Sequence, residues 1–179
     1  GQRALGAQIV HALGEPHGRT LARGGRNGAV IWPRPRRARI TGVTDFYELS
    51  AANDRLVELR PLLTALRDDR DAIAAAQQRL QQLAAADEPD RAQLEREKAG
   101  VTETIRRMEQ AVRQIDAWGI TLRDIGTGLI DFPALANGRP IWLCWKLGED
   151  DIAYWHELDT GIAGRKTLLE LDAGEAPPA

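Results

Sequence analysis

The sequence reads as an α+β protein: a long antiparallel helix hairpin, coiled-coil-like in its patterning, joined to a small antiparallel sheet of three or four strands. Three observations predict this. Apolar residues recur at steps of three, four and seven from Leu56 to Leu80 and again from Leu94 to Ile115, which is the helical period. A polar break, Ala84-Ala-Ala-Asp-Glu-Pro-Asp, separates the two stripes. Beyond Gly119 the pattern changes to short runs of β-formers punctuated by turn signals.

The first helix is expected to start at Ser50, a good N-cap residue ahead of Ala51. Its stripe is Leu56, Leu59, Leu63, Leu66, Ile73 and Leu80. Pro61 lies inside that run and removes a backbone donor, so a kink or a split is expected near Glu58–Arg60. Asp90 is placed to cap the second helix, whose stripe is Leu94, Val101, Ile105, Met108, Val112, Ile115 and Trp118. Gly100 weakens it locally by about 1 kcal/mol relative to Ala. Gly119 suits the position just past its end. Thirty helical residues span about 45 Å, which is longer than the sheet domain. The tip of the arm should therefore be solvated or lie against another copy. The charged run Arg67 to Asp71 reads as a solvated face.

The sheet follows. Ile120-Thr-Leu-Arg-Asp-Ile is a short strand or connector, and Leu129-Ile-Asp-Phe is a strand ended by Pro133. Asn137-Gly138 is a strong hairpin turn signal. Ile141-Trp-Leu-Cys-Trp-Lys-Leu is the densest β run, and Ile152-Ala-Tyr-Trp-His-Glu-Leu is the next. The turn between them lies within Gly148 to Asp151, and two registers are open. With Leu147 opposite Ile152, Leu143 faces His156; with Gly148 opposite Ile152, Cys144 faces His156 directly. The chain thus divides into residues 1–42, a helical hairpin over 43–119, the sheet over 120–172 and a fraying tail over 173–179.

Residues 1–42 look like a different polymer. They carry eight Arg against one acid, Glu15, a net of +7; the remaining 137 residues carry 16 basic and 25 acidic side chains, a net of −9. With eight of the 17 Gly and no sustained apolar period, the segment is expected to be disordered. It reads either as a basic arm that touches nucleic acid or, preferably, as translated upstream DNA. Position 1 is Gly, and Val43 precedes the ordered pattern where a GTG codon would be read as Met at initiation. The intact mass of natively expressed protein distinguishes these. Elsewhere the acidic balance argues against broad nucleic-acid contact.

No run approaches the roughly 18 apolar residues of a membrane span. No secretory signal pattern is present, and a single Cys forms no internal disulfide. A cytoplasmic location is expected.

Candidate chemistry concentrates between Gly128 and Arg165, which hold three of the five Trp, the one Cys and the one His outside the first 17 residues. Cys144 is a nucleophile or a soft metal ligand, or simply a small buried hydrophobe. His156 and Glu157, with Asp131, are candidates for acid–base work. Neighbours in a strand point to opposite faces, so His156 and Glu157 cannot share one ion without a bulge. His156 with Asp131 or Cys144 across the sheet is sterically easier. A metal site of Cys144 and His156 completed by acids suits zinc or another transition metal. Arg165, in the Gly-rich basic segment Gly161–Lys166, is a candidate anion ligand. Its plainer reading is a turn in which Arg165 pairs with an acid such as Glu149 or Asp131. Trp145 and Glu149 are further ligand-binding candidates, although a small sheet also needs large aromatics for its core.

The segments Tyr47-Glu-Leu-Ser-Ala-Ala-Asn, Leu59-Arg-Pro-Leu-Leu, Gly128-Leu-Ile-Asp-Phe-Pro-Ala, Leu143-Cys-Trp-Lys-Leu-Gly-Glu and Tyr154-Trp-His-Glu resemble an uncharacterised prokaryotic family, domain of unknown function number 2203. The resemblance covers about Phe46 to Leu168 and implies no activity. Asp131, Cys144, Trp145, Glu149, His156, Glu157 and Arg165 are the positions it marks for testing. The leading functional expectation is a module that self-associates, or binds a protein partner, through its helices. The alternative is a small metal-binding protein or enzyme that uses His156 with Cys144 or Asp131.

Overall fold

The computed structural model describes residues 46–173. The readings of residues 1–42 and of the tail beyond 173 lie outside them. Helix α1 spans Leu49–Ala84 and α2 spans Arg91–Ala117, and the two pack as a hairpin. The α1 N-cap is Glu48, not Ser50, and it makes no side-chain cap. Tyr47 fixes the entry instead. Its N–H donates to the Pro133 carbonyl at 2.8 Å, its hydroxyl donates to the Trp118 carbonyl at 2.7 Å, and its ring meets Phe132 edge-on. Asp90 caps α2 as expected, accepting the Gln93 N–H at 3.0 Å. Gly119, at φ +72, ends α2 in the left-handed region that favours glycine.

Pro61 does not split α1, which is one helix through it. The missing N–H would have bonded the Val57 carbonyl, and both Val57 and Pro61 lie on the exposed side of the helix, where a freed carbonyl costs little. The buried face, Leu56, Leu59, Leu63 and Leu66, runs past the proline unbroken. At about 1.5 Å per residue, α1 is about 54 Å long. Burial falls along it: Met108, Val112 and Ile115 of α2 are buried near the sheet, whereas Leu80, Leu94, Val101 and Ile105 towards the turn are half-buried. Arg107–Asp69 and Arg79–Glu97 pair across the two arms. Among the described residues no helix is long and apolar enough to cross a membrane.

The sheet has five antiparallel strands in sequence order, one more than the larger number expected. They are β1 (Thr121–Asp124), β2 (Leu129–Ala136), β3 (Arg139–Lys146), β4 (Tyr154–His156) and β5 (Lys166–Thr167). A 3-10 turn, Ile162–Gly164, precedes β5, and a short helix α3, Leu168–Ala173, follows it. Asn137 and Gly138 both have positive φ, 51 and 75, which is the hairpin turn their sequence signals. Pro133 does not end β2 but sits opposite Trp142. The reason is that β1 pairs only with Leu129, Ile130 and Asp131. At Pro133 that side of β2 has no strand to receive an N–H.

Neither expected register of β3 and β4 is the observed one. Trp142 pairs with His156 and Cys144 with Tyr154. The longer loop is held by a contact with β3 and by contacts with α1. The indole N–H of Trp145 donates to the Glu149 carbonyl at 3.1 Å, the Ile152 N–H donates to Asn53 Oδ1 at 2.9 Å, and Arg60 donates to the carbonyls of Glu149 and Asp150.

The alternation of the strands now assigns two faces. Ile130, Phe132, Ala134, Ile141, Leu143, Trp145 and Trp155 point to the helices and share one core with their stripe. Asp131, Cys144, His156, Trp142 and Tyr154 lie on the opposite face by their pairing.

Candidate metal centre

Three adjacent strands bring Asp131, Cys144 and His156 together. Asp131 of β2 is the direct cross-strand partner of Cys144 of β3. His156 of β4 is opposite Trp142, two residues along the same face, and so reaches them diagonally. One ligand atom from each residue lies within 4.8 Å of the other two. All three side chains are buried, with residue exposures of 1%, 0% and 1% for Asp131, Cys144 and His156.

The imidazole is oriented at both nitrogens. Nδ1 lies 2.7 Å from the Glu157 carbonyl, which can only accept, so Nδ1 carries a proton and donates it there. Nε2 is thereby turned to Asp131 Oδ2, 3.1 Å away. This is the arrangement a metal-binding histidine uses, with a backbone carbonyl fixing the tautomer and the far nitrogen facing the site.

Arg123 completes the electrostatics. Its Nε donates to Asp131 Oδ2 at 2.5 Å, and its guanidinium lies over the Trp142 ring at 5.1 Å. It is the extra residue of a β-bulge, because Leu122 and Asp124 pair with the consecutive residues Ile130 and Leu129. A bulge re-aims a side chain, here onto the carboxylate. Asp131 Oδ1, by contrast, is buried with no hydrogen-bond partner.

Burial opposes the charge on Asp131, but the bond to His156 and the Arg123 charge outweigh it and hold the carboxyl below its usual range. Burial also opposes a charged His156, and the same bond and charge from Asp131 outweigh it and raise the imidazole. For Cys144 the nearby Arg165 charge compensates only in part. Burial first, and then the Asp131 charge, push the thiol up to about 12. Without a metal the site therefore holds a neutral thiol beside a carboxylate, and this thiol is not primed as a nucleophile.

Of the other candidates, Arg165 is bidentate on Glu149 at 2.9 Å for both bonds, as its plainer reading has it. It also donates to the Cys144 carbonyl at 3.2 Å and lies 4.3 Å from the Tyr154 ring centroid. Glu149 thus reaches the centre only through Arg165. Glu157 offers its carbonyl to His156 and turns its carboxylate to Arg139 at 3.5 Å. Trp145 is not brought to the centre; it is fully buried on the helix side. Arg123 was not singled out from the sequence, where one Arg in a short strand carries no sign of a bulge.

The residues that form this centre all lie inside a segment with recognisable relatives. A family model described as an uncharacterized conserved protein, DUF2203, matches residues 45–168. The chain belongs to the DUF2203 family. No curated protein and no solved structure shows a match to it. The match spans the helix hairpin and all five strands of this DUF2203 protein.

Proposed function

We propose that the protein binds one transition-metal ion, zinc foremost, through Asp131, Cys144 and His156. The observation that carries this is the buried group of three donors in which Asp131 Oδ1 has no partner. A buried, unsatisfied carboxylate oxygen is destabilising, by about 1–3 kcal/mol, and a metal ion relieves it. Thiolate, imidazole and carboxylate together suit a borderline ion such as zinc rather than calcium or magnesium, which prefer all-oxygen sets. Binding displaces the Cys144 proton and the proton shared between His156 and Asp131. Metal is also what would make Cys144 a thiolate at neutral pH. Zinc added to metal-free protein should raise Tm, and should not do so in Cys144→Ala. An unchanged Tm in the wild-type protein would sink the proposal.

A second reading concerns the hairpin. Its outer half leaves Leu80, Leu94, Val101 and Ile105 half-buried beside a groove of about 430 Å³ lined in part by Ala72, Ile73, Ala76 and Gly100. This pattern supports association through the helices, with a second copy or another protein. Leu94→Asp should abolish concentration-dependent sedimentation if the tip is an interface. Leu66 is 1% exposed, and Asp there would disrupt the fold instead.

A further inference from the structure

We infer that the fourth position of the centre takes an oxyanion, a carboxylate or phosphate group, held against Arg123. The inference rests on the metal reading. Three protein donors leave a four-coordinate ion one ligand short. Among the described residues no fourth Cys, His or carboxylate joins the group.

Charge decides what fills the gap. A divalent ion with a Cys144 thiolate, the Asp131 carboxylate and a neutral His156 sums to zero. Arg165 is offset by Glu149. Arg123 adds a positive charge that nothing else on this face offsets, since its one ion pair is with Asp131. A net positive centre partly removed from water attracts an anion more strongly than the same charge in bulk solvent.

Geometry agrees. Arg123 uses Nε on Asp131, and its two terminal nitrogens make no hydrogen bond among the described residues. Its side chain is 34% exposed beside ligands whose side chains are 1–2% exposed, so Arg123 is where solvent meets the centre. Its guanidinium lies over the Trp142 ring. With Nε fixed on Asp131, the planar guanidinium fork still offers donors that match two oxygens of a carboxylate or phosphate. Arg165, just before β5, bonds the Cys144 carbonyl through a terminal nitrogen, and its Nε is a second donor, buried and without a partner. A water molecule would complete the metal but would leave the charge of Arg123 uncompensated.

Cobalt(II) is the probe. In the full chain loaded with it, a thiolate-to-cobalt charge-transfer band reports the metal, and the visible d–d bands report its fourth ligand. Inorganic phosphate is titrated in one arm, acetate in a second and chloride in a third. The d–d bands should move saturably with phosphate or acetate, and whichever acts names the source, while chloride leaves them in place. Arg123→Gln should keep the thiolate band and raise the half-saturating concentration at least tenfold, and Arg113→Gln on the exposed face of α2 should not. If Arg123→Gln loads no cobalt, Arg123→Lys keeps the charge without the fork and should show the same weakening. Bands that form and do not respond to either oxyanion, or an Arg123 variant that saturates like the wild type, overturn the anion. The absence of any thiolate band overturns the metal reading and the anion with it.

Discussion

The two faces of the sheet are chemically opposite, and the far one is fully buried only at its centre. Towards the helices, Phe132, Leu143, Trp145 and Trp155 join the stripe of α1 and α2 in one apolar core. Away from them, Asp131, Cys144 and His156 are just as inaccessible, yet they include the two buried charged or polar side chains of the described residues. Burying a carboxylate and an imidazole contributes less to stability than apolar residues of the same volume would. The comparison teaches that the helix side holds the fold and the far side holds chemistry, and it can be broken from either side.

The largest expected effect is on the helix side. Trp145→Ala should cost about 3–5 kcal/mol in urea unfolding, because its side chain is fully enclosed. On the far face, Asp131→Ala should cost about 3 kcal/mol, the low end for breaking a buried pair. His156 can shed its proton and Arg123 can reach water, which limits the damage. Replacing Asp131 and His156 together by Leu should leave stability within about 1 kcal/mol of the wild type, or raise it, while metal binding is lost. If that double variant unfolds, the far face is structural and the contrast fails. Cys144→Ala should cost about 1 kcal/mol and abolish metal binding.

Acidity separates the faces further in metal-free protein. Asp131 is held below its usual range, so its contribution is present above the unfolded carboxyl range, roughly pH 4, and is lost as pH falls through the folded value. His156 is raised, so its contribution is full below roughly pH 6.5 and is lost as pH rises through the folded value. Cys144, at about 12, removes stability between the ordinary thiol range and that value. Urea unfolding of metal-free protein should therefore show a maximum between roughly pH 4 and 6.5. Zinc affinity should run the other way, rising with pH by up to about tenfold per unit for each proton displaced. The smallest effect is at the rim: Arg139→Ala breaks an exposed pair with Glu157 and should cost less than about 0.5 kcal/mol.

Much of the helix side was legible in the sequence because periodicity reports it. The stripes Leu56 to Ile73 and Met108 to Ile115 read directly as core, and Asn137-Gly138 and Asp90 carry local chemistry that acts where it stands. The far face was legible only as a set of residue types. Its geometry depends on the loop after Leu147, which Glu149 closes back onto Lys146 and which Arg60 and Asn53 of α1 hold from outside. The length of that loop moves Cys144 opposite Tyr154, and the diagonal to His156 becomes visible only afterwards. The bulge at Arg123 and the two-residue strand Lys166–Thr167 are tertiary outcomes with too few residues to leave a pattern.

The most direct test of the account is elemental analysis of untagged protein purified without chelator, beside its Cys144→Ala and His156→Ala variants. The account predicts near-stoichiometric zinc or another transition metal in the wild type and its loss in both variants. Only trace metal in the wild type, with none taken up when zinc is supplied, would contradict it and leave the far face as a buried ion pair without a ligand.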